Sequence, residues 1–193
     1  MAKEIMILDN KIQKIIEGCI QKQPKAQRML VDQFGDLLYA ICIRYIGDRQ
    51  KAKDALQMSF LRILNNIHMH DPQKGKLTSW MTRVTINVCL SELRKKKTEM
   101  IPIDNEVIQI PQNNETIIEK MTTDEILAVV ENLPDAYREI FNLAVIDGYS
   151  HKAIGEMLDI EEASSRSRLS RAKSMLRDLL SKIKTSESWV NLA

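Results

Sequence analysis

Apolar residues recur along most of this chain at three- and four-residue spacing, the repeat that places them on one side of a helix. Ile12, Ile15, Ile16 and Cys19 form a short stripe that breaks near Pro24. From Lys25 to Ile46 the positions Leu30, Phe34, Leu37, Leu38, Ile41 and Tyr45 keep the repeat, and Gly47-Asp48 supplies a stop and a fresh N-cap. A third helix, about Gln50 to Ile67, carries Ala52, Ala55, Leu56, Ser59, Phe60, Ile63 and Leu64 on one side. Asp71-Pro72 and Gly75 mark a loop between His68 and Lys76. A fourth helix then runs from about Leu77 to Lys97, with Trp80, Val84, Val88 and Leu90 to Leu93 as apolar contacts and a basic end, Arg94-Lys95-Lys96-Lys97.

The pattern then lapses. Thr98 to Thr123 holds Pro102, Pro111, Gln112-Asn113-Asn114 and acids at Glu99, Asp104, Glu106, Glu115 and Glu119, with no sustained period. This is the composition of a partly extended tether. Order resumes at Thr122, where Thr122-x-x-Glu125 resembles a capping box. Leu133-Pro134 opens a further helix with proline at its first position, and Asp147-Gly148 closes it. The expected fold is all-α: two small helical domains joined by a flexible linker, with boundaries at 1–98, 99–121 and 122–184 and a polar tail at 185–193.

Ser150 to Leu180 reads as a helix-turn-helix. Ser150 can cap a short helix through Met157-Leu158, Asp159-Ile160 makes the turn, and a longer helix follows from about Glu161. At roughly 100° per residue Leu169, Ala172, Leu176 and Leu179 share one stripe. Ser164, Ser167, Arg168 and Arg171 fall opposite, with Arg166 at the flank and Ser165 near the buried stripe. Arginine forks onto guanine edges or phosphates, and serine reaches either without blocking close approach, so this helix suits the major groove. A solvated basic face on an ordinary amphipathic helix is the alternative.

The remaining chemistry narrows the choice. In 193 residues, 44% are hydrophobic and 28% charged, which allows real cores and excludes a disordered chain. Net charge is only +2, so affinity for nucleic acid must come from local patches. Cys19, Cys42 and Cys89 are far apart in sequence and read as small buried hydrophobes of a reducing cytoplasm. His68 and His70 read as solvent-facing loop residues without companions at metal-ligand spacing, and the ten Met residues as core filler. No apolar run matches a membrane span and Met1 to Glu4 starts no signal peptide, so no membrane insertion is expected. No metal, cofactor or catalytic constellation is expected either.

Several segments together resemble one family, the extracytoplasmic-function group of bacterial sigma factors. Ala52-Lys53-Asp54-Ala55-Leu56-Gln57-Met58-Ser59-Phe60-Leu61-Arg62 is similar to its helix that docks on the RNA polymerase clamp. Ser79-Trp80-Met81 through Asn87-Val88-Cys89-Leu90-Ser91-Glu92-Leu93-Arg94 resembles its promoter-melting helix. Leu133-Pro134, Tyr137-Arg138-Glu139-Ile140, Gly148-Tyr149-Ser150, Ile154 and Ser167-Arg168-Leu169-Ser170-Arg171-Ala172 resemble its C-terminal domain. The chain departs from the family's usual acids at Met58 and Ser91, glycine at Asp159, hydroxyl cap at Glu161 and apolar residue at Ser165.

The resemblance implies a non-enzymatic cytoplasmic protein that binds core RNA polymerase and promoter DNA, answers to an anti-sigma factor and directs transcription initiation. It implies a polymerase-binding set of Arg44, Asp54, Gln57, Phe60 and Arg62. The −10 set is Lys74, Lys76, Trp80, Thr82, Arg83, Asn87, Arg94 and Lys95, and the −35 set is Ser164, Arg166, Ser167, Arg168 and Arg171. Melting needs a site that holds single-stranded DNA better than duplex: a base pocket and cations along the strand. The residues alone leave Trp80 as a core residue that positions the loop or as a base platform. The acidic linker is either a plain tether or a segment that runs through polymerase's basic channel. A helix-turn-helix regulator of another class and a helical protein-interaction module remain the alternative readings.

Overall fold

The computed structural model describes residues 2–99 and 129–190, with side chains at 11–95 and 129–180. Every regular element among the described residues is helical, and the chain divides into two compact units, Met1–Glu92 and Leu93–Ala193, the division falling within the fourth helix.

The first unit contains α1 (Ala2–Ile20), α2 (Pro24–Ile46), α3 (Arg49–Asn66), a 3-10 turn at Ile67–Met69, and α4 (Leu77–Glu99). Proline occupies the first turn of α2, where its missing N–H leaves no bond unmade. α1 and α2 approach closely at Gly18, where a Cβ would stand 2.5 Å from the Ala26 Cβ. The Gly47-Asp48 signal works as the residues dictate. Gly47 takes φ 73° and donates its N–H to Ile43 O at 2.8 Å, and the Asp48 carboxylate accepts from Lys51 N at 2.9 Å. Behind these caps the predicted stripes are buried: Leu30, Phe34, Leu38, Ile41 and Tyr45 on α2, and Ala52, Ala55, Phe60 and Ile63 on α3. Leu37 is exposed instead, and Leu56 and Leu64 are half-buried.

α4 turns inward through Leu77, Met81, Ile86, Val88, Cys89 and Leu90. Cys42 and Cys89, 47 positions apart in sequence, meet in this core as a hydrogen-bonded thiol pair, with Ser59 also bonded to Cys42. The hydrogen bond to Cys42, with burial, pushes the Cys89 thiol up. All three cysteines are free and buried, as their place in the helical pattern suggested; the contact between Cys42 and Cys89 is what the sequence did not announce.

In the second unit, Val129 and Val130 are helical and lead through a turn to α5 (Asp135–Phe141), a π turn (Asn142–Ile146), α6 (His151–Leu158) and α7 (Glu162–Val190). Val129, Val130, Leu133, Phe141, Ala172, Leu176 and Leu180 form its core, with Tyr137, Leu169, Met175 and Leu179 packed around them. Pro134 sits one residue earlier than expected, as the cap of α5 (φ −54°, ψ 145°). The expected single helix to Asp147 loosens at Asn142 into the π turn. Gly148 (φ 71°) then reverses the chain. α7 begins at Glu162 and continues unbroken past residue 184, where a tail was expected. The expected linker, apart from Glu99, and the Thr122 capping box lie outside the described residues, as do residues 191–193.

Arg138 holds the entrance to α5. Only 5% exposed, its guanidinium donates to the carbonyls of Glu131 and Leu133, each at 3.1 Å, and to Asp135 Oδ1 at 2.5 Å. One planar fork thus satisfies two turn carbonyls and a carboxylate, a geometry lysine cannot copy. Arg138→Ala is expected to destabilise the second unit by about 2–3 kcal/mol, with Arg138→Lys recovering less than half. Amide hydrogen exchange resolved over α5–α7 measures both. Protection unchanged in the alanine variant contradicts the assignment.

Candidate functional site

Three solvent-facing surfaces gather most of the expected residues. The first is the outer side of α3. Burial of Ala52, Ala55, Ser59 and Ile63 turns Asp54 and Gln57 to solvent, with Arg62 exposed at the flank. Met58 (43% exposed) and Leu61 (55%) stand with them. These two were missed, although neither lies on the buried stripe. Phe60, expected on this surface, is 8% exposed because its position belongs to the buried arc; it supports the face from within. Arg44 stands apart on α2, half-buried, its guanidinium carbon 5.3 Å from the centroid of the Tyr45 ring.

The second surface joins the loop after α3 to α4. Asp71 shapes the loop: its carboxylate accepts from Gln73 N at 3.0 Å and lies 3.7 Å from Lys74 Nζ, and its carbonyl accepts from Lys74 N at 3.0 Å. His70 is not the solvent-facing residue the sequence suggested. Its Nε2 lies 3.1 Å from Gly75 O, and its ring packs 5.9 Å from the Trp80 ring at 59°, which closes the loop over the start of α4. Trp80 is half-buried, so its ring both packs and keeps an open side.

From Trp80 the helical repeat carries Arg83, Asn87 and Arg94 along one side of α4, all three exposed, with Lys95 exposed at the edge. Lys74 and Lys76 are exposed on the loop. Thr82 does not join this row. Two residues beyond Trp80, it falls about 200° around the helix and is half-buried. The side chains of Lys96 and Lys97 lie outside the described residues.

The third surface is the helix-turn-helix. Ser150 caps α6, its hydroxyl accepting from Ala153 N at 3.3 Å. Asp159 closes α6 in the left-handed region (φ 55°, ψ 51°), and Ile160 N donates to Gly155 O at 3.0 Å. Gly155 is obligatory, because a Cβ there would meet Ile160 O at 2.7 Å.

On α7, Arg166 and Ser167 are exposed, whereas Ser164, Arg168 and Arg171 are half-buried. The fully exposed positions of this stretch are therefore Ala163, Arg166, Ser167 and Ser170, with Arg168 and Arg171 at the edge. Arg168 and Arg171, expected on the outward face with Ser164 and Ser167, lie at its edge, because the positions that face inward are Ser165, Ala172, Leu176 and Leu180, with Leu169 and Leu179 only partly buried. Arg166 pairs with Glu162 one turn earlier; both side chains are exposed, so the pair is weak and open to exchange for another anion. Ser165 is completely buried, and its hydroxyl lies 2.9 Å from His151 Nδ1. No local pattern announces that contact, since the partners are 14 residues apart.

The His70–Trp80 contact can be read directly. In a Trp189→Phe background, His70→Ala is expected to shift Trp80 emission to longer wavelength at unchanged far-UV helicity. An unshifted spectrum excludes the ring contact.

Comparison with known proteins joins these surfaces. Residues 30–99 match Sigma-70 region 2, and residues 123–176 match Sigma-70, region 4. The chain is 28% identical over 158 residues to the ECF RNA polymerase sigma factor SigE of Mycolicibacterium smegmatis. That match covers 79% of this chain but only 61% of the length of that relative. It is 31% identical over 156 residues to the RNA polymerase sigma factor SigZ of Bacillus subtilis, covering 78% and 85% of the two chains. Among solved structures, the sigma factor RpoE of Bartonella quintana, determined in complex with the anti-sigma factor NepR, shares the fold. Its TM-score is 0.50 at 19% identity, over 80% of this chain and 96% of that one.

Proposed function

The chain belongs to the extracytoplasmic-function group of sigma-70 factors, and we propose that its three surfaces divide the steps of promoter-specific initiation among them. As an alternative sigma factor it directs transcription initiation; the division of labour is our reading. The observation that carries it is the placement of the exposed faces. The α3 face and the α4 row fall within the region 2 match, and the outward side of α7 within the region 4 match.

In this reading residues 1–98 form the polymerase-binding and −10 domain, 99–121 the linker, and 122–184 the −35 domain. Asp54, Gln57 and Arg62, with Met58 and Leu61 added, dock on core RNA polymerase in the cytoplasm, and Arg44 contributes from α2. An apolar pair within a polar rim is the composition of a specific protein contact. The open side of Trp80 stacks on a separated base of the −10 strand, at about 1–3 kcal/mol per base. Arg83, Asn87, Arg94 and Lys95, with Lys74 and Lys76, follow its backbone. Ser164, Ser167, Arg168 and Arg171 read −35 duplex, and Arg166 exchanges Glu162 for a phosphate. An anti-sigma factor is the remaining partner, as in the complex solved for RpoE. No chemical step is assigned to the chain itself; bond formation belongs to the polymerase.

Two experiments test the division. Asp54→Arg combined with Leu61→Glu should abolish retention of the full-length protein on core polymerase while far-UV helicity holds. Retention at the parent level removes α3 from the interface.

With reconstituted polymerase and a panel of base-substituted −35 duplexes, Arg168→Ala should cost about 1–3 kcal/mol and relax preference at one base position. Arg166→Ala should weaken all sequences alike and reduce the salt slope by about one unit. If Arg168→Ala and Arg171→Ala both leave affinity and preference unchanged, α7 presents another face to DNA.

A further inference from the structure

We propose that the hydrogen bond between His151 and Ser165 sets the roll of the recognition helix, and through it the −35 sequence preference. The proposal rests on the reading of α7 as the −35 helix. Ser165 is the fourth residue of α7, wholly buried, and its hydroxyl lies 2.9 Å from His151 Nδ1 on the first turn of α6. A serine inside a helix commonly bonds the carbonyl four residues back. Ser59 does so, donating to Ala55 O at 2.7 Å. Ser165 sends its hydroxyl across to another helix instead, while its backbone N–H takes Glu161 O at 3.1 Å.

The position of this bond gives it leverage. Farther along α7 the inner face is held by Leu169, Ala172, Leu176 and Leu180, apolar contacts without strong directionality. At the first turn the inner face is held by the His151 bond, while the tight Gly155–Ile160 turn fixes how near the two helices come. A turn that fixes distance leaves rotation of α7 about its own axis open. A hydrogen bond, which prefers a narrow range of length and angle, closes it.

Ser164, Arg166, Ser167 and Arg168 all lie within three residues of Ser165, so they rotate with it. A roll of about 10° moves a side-chain tip about 6 Å from the helix axis by about 1 Å. That exceeds the window for a forked contact with a base edge. A phosphate contact, held mainly by charge, tolerates the same shift. His151 and Ser165 are therefore positioning residues. Their loss should flatten sequence preference while leaving overall DNA retention nearly intact.

The test uses full-length protein reconstituted with core polymerase and a duplex library randomised at the −35 position, with bound sequences counted before and after selection. Ser165→Ala removes the hydroxyl. His151→Gln carries its amide one methylene beyond the place of Nδ1, and His151→Asn restores a polar atom there. Ser165→Ala and His151→Gln should each reduce enrichment of preferred over average sequences by about fivefold, and the double variant no further. His151→Asn should keep most of the parent enrichment, and retention at low salt should change little in any of them.

Arg168→Ala in the same library separates the two ideas. If it flattens preference while Ser165→Ala and His151→Gln do not, the positioning role is overturned and the −35 reading stands. If none of the three alters preference, both fall. Additive losses in the double variant, or a fall in retention equal to the fall in preference, also overturn the proposal.

Discussion

In α3, Ala52, Ala55, Ser59 and Ile63 are buried because they recur at the helical repeat, and the same repeat forces Asp54, Gln57, Met58 and Leu61 outward. The constraint acts again in α4, where burial of Met81, Ile86, Val88 and Cys89 sets Arg83 and Asn87 toward solvent. It acts a third time in α7, where Ser165, Ala172, Leu176 and Leu180 face the core. Each proposed contact surface is thus the reverse of a packed stripe. A change in the packed stripe would rotate the surface behind it.

This explains what could be read in advance. The Gly47-Asp48 boundary and the Ser150 cap involve residues at most four apart, and chain geometry delivers them without tertiary help. The exposed residues of α3 and α4 follow from the repeat in the same way. What escaped are contacts between elements: Cys42 with Cys89, Arg138 with the carbonyl of Glu131, His70 with Trp80, and His151 with Ser165. Each joins polar or aromatic groups whose partner is fixed only once the chain between them has folded. Thr82 failed differently. It lies in the right stretch of sequence, yet two residues from Trp80 is the wrong side of a helix.

Burial also sorts the charged groups. Arg138 is committed, since extracting its guanidinium would remove a donor from two turn carbonyls and from the Asp135 carboxylate at once. Arg166 is exposed, like its partner Glu162, and their pairing is worth about 0–1 kcal/mol. The first arginine shapes the domain and the second is free to change partners. Asp159 shows a related economy: a non-glycine residue is held at φ 55° by the turn between α6 and α7, a strain aspartate bears better than most.

The near-neutral charge of the chain decides how these surfaces must work. If α7 contributes its three outward or flanking arginines as phosphate contacts, counterion release predicts about a 40-fold loss of affinity between 50 and 200 mM salt. With so few contacts there is little affinity to lose, so a helix of this charge holds DNA poorly by itself. Polymerase, gripping the template elsewhere, raises the local DNA concentration at both domains and removes that burden. In the proposed division, what remains for α4 and α7 is discrimination, which depends on the placement of a few side chains rather than on the number of positive charges. That is why a buried hydrogen bond of ordinary strength, at the first turn of α7, can matter more to promoter choice than another lysine on its surface.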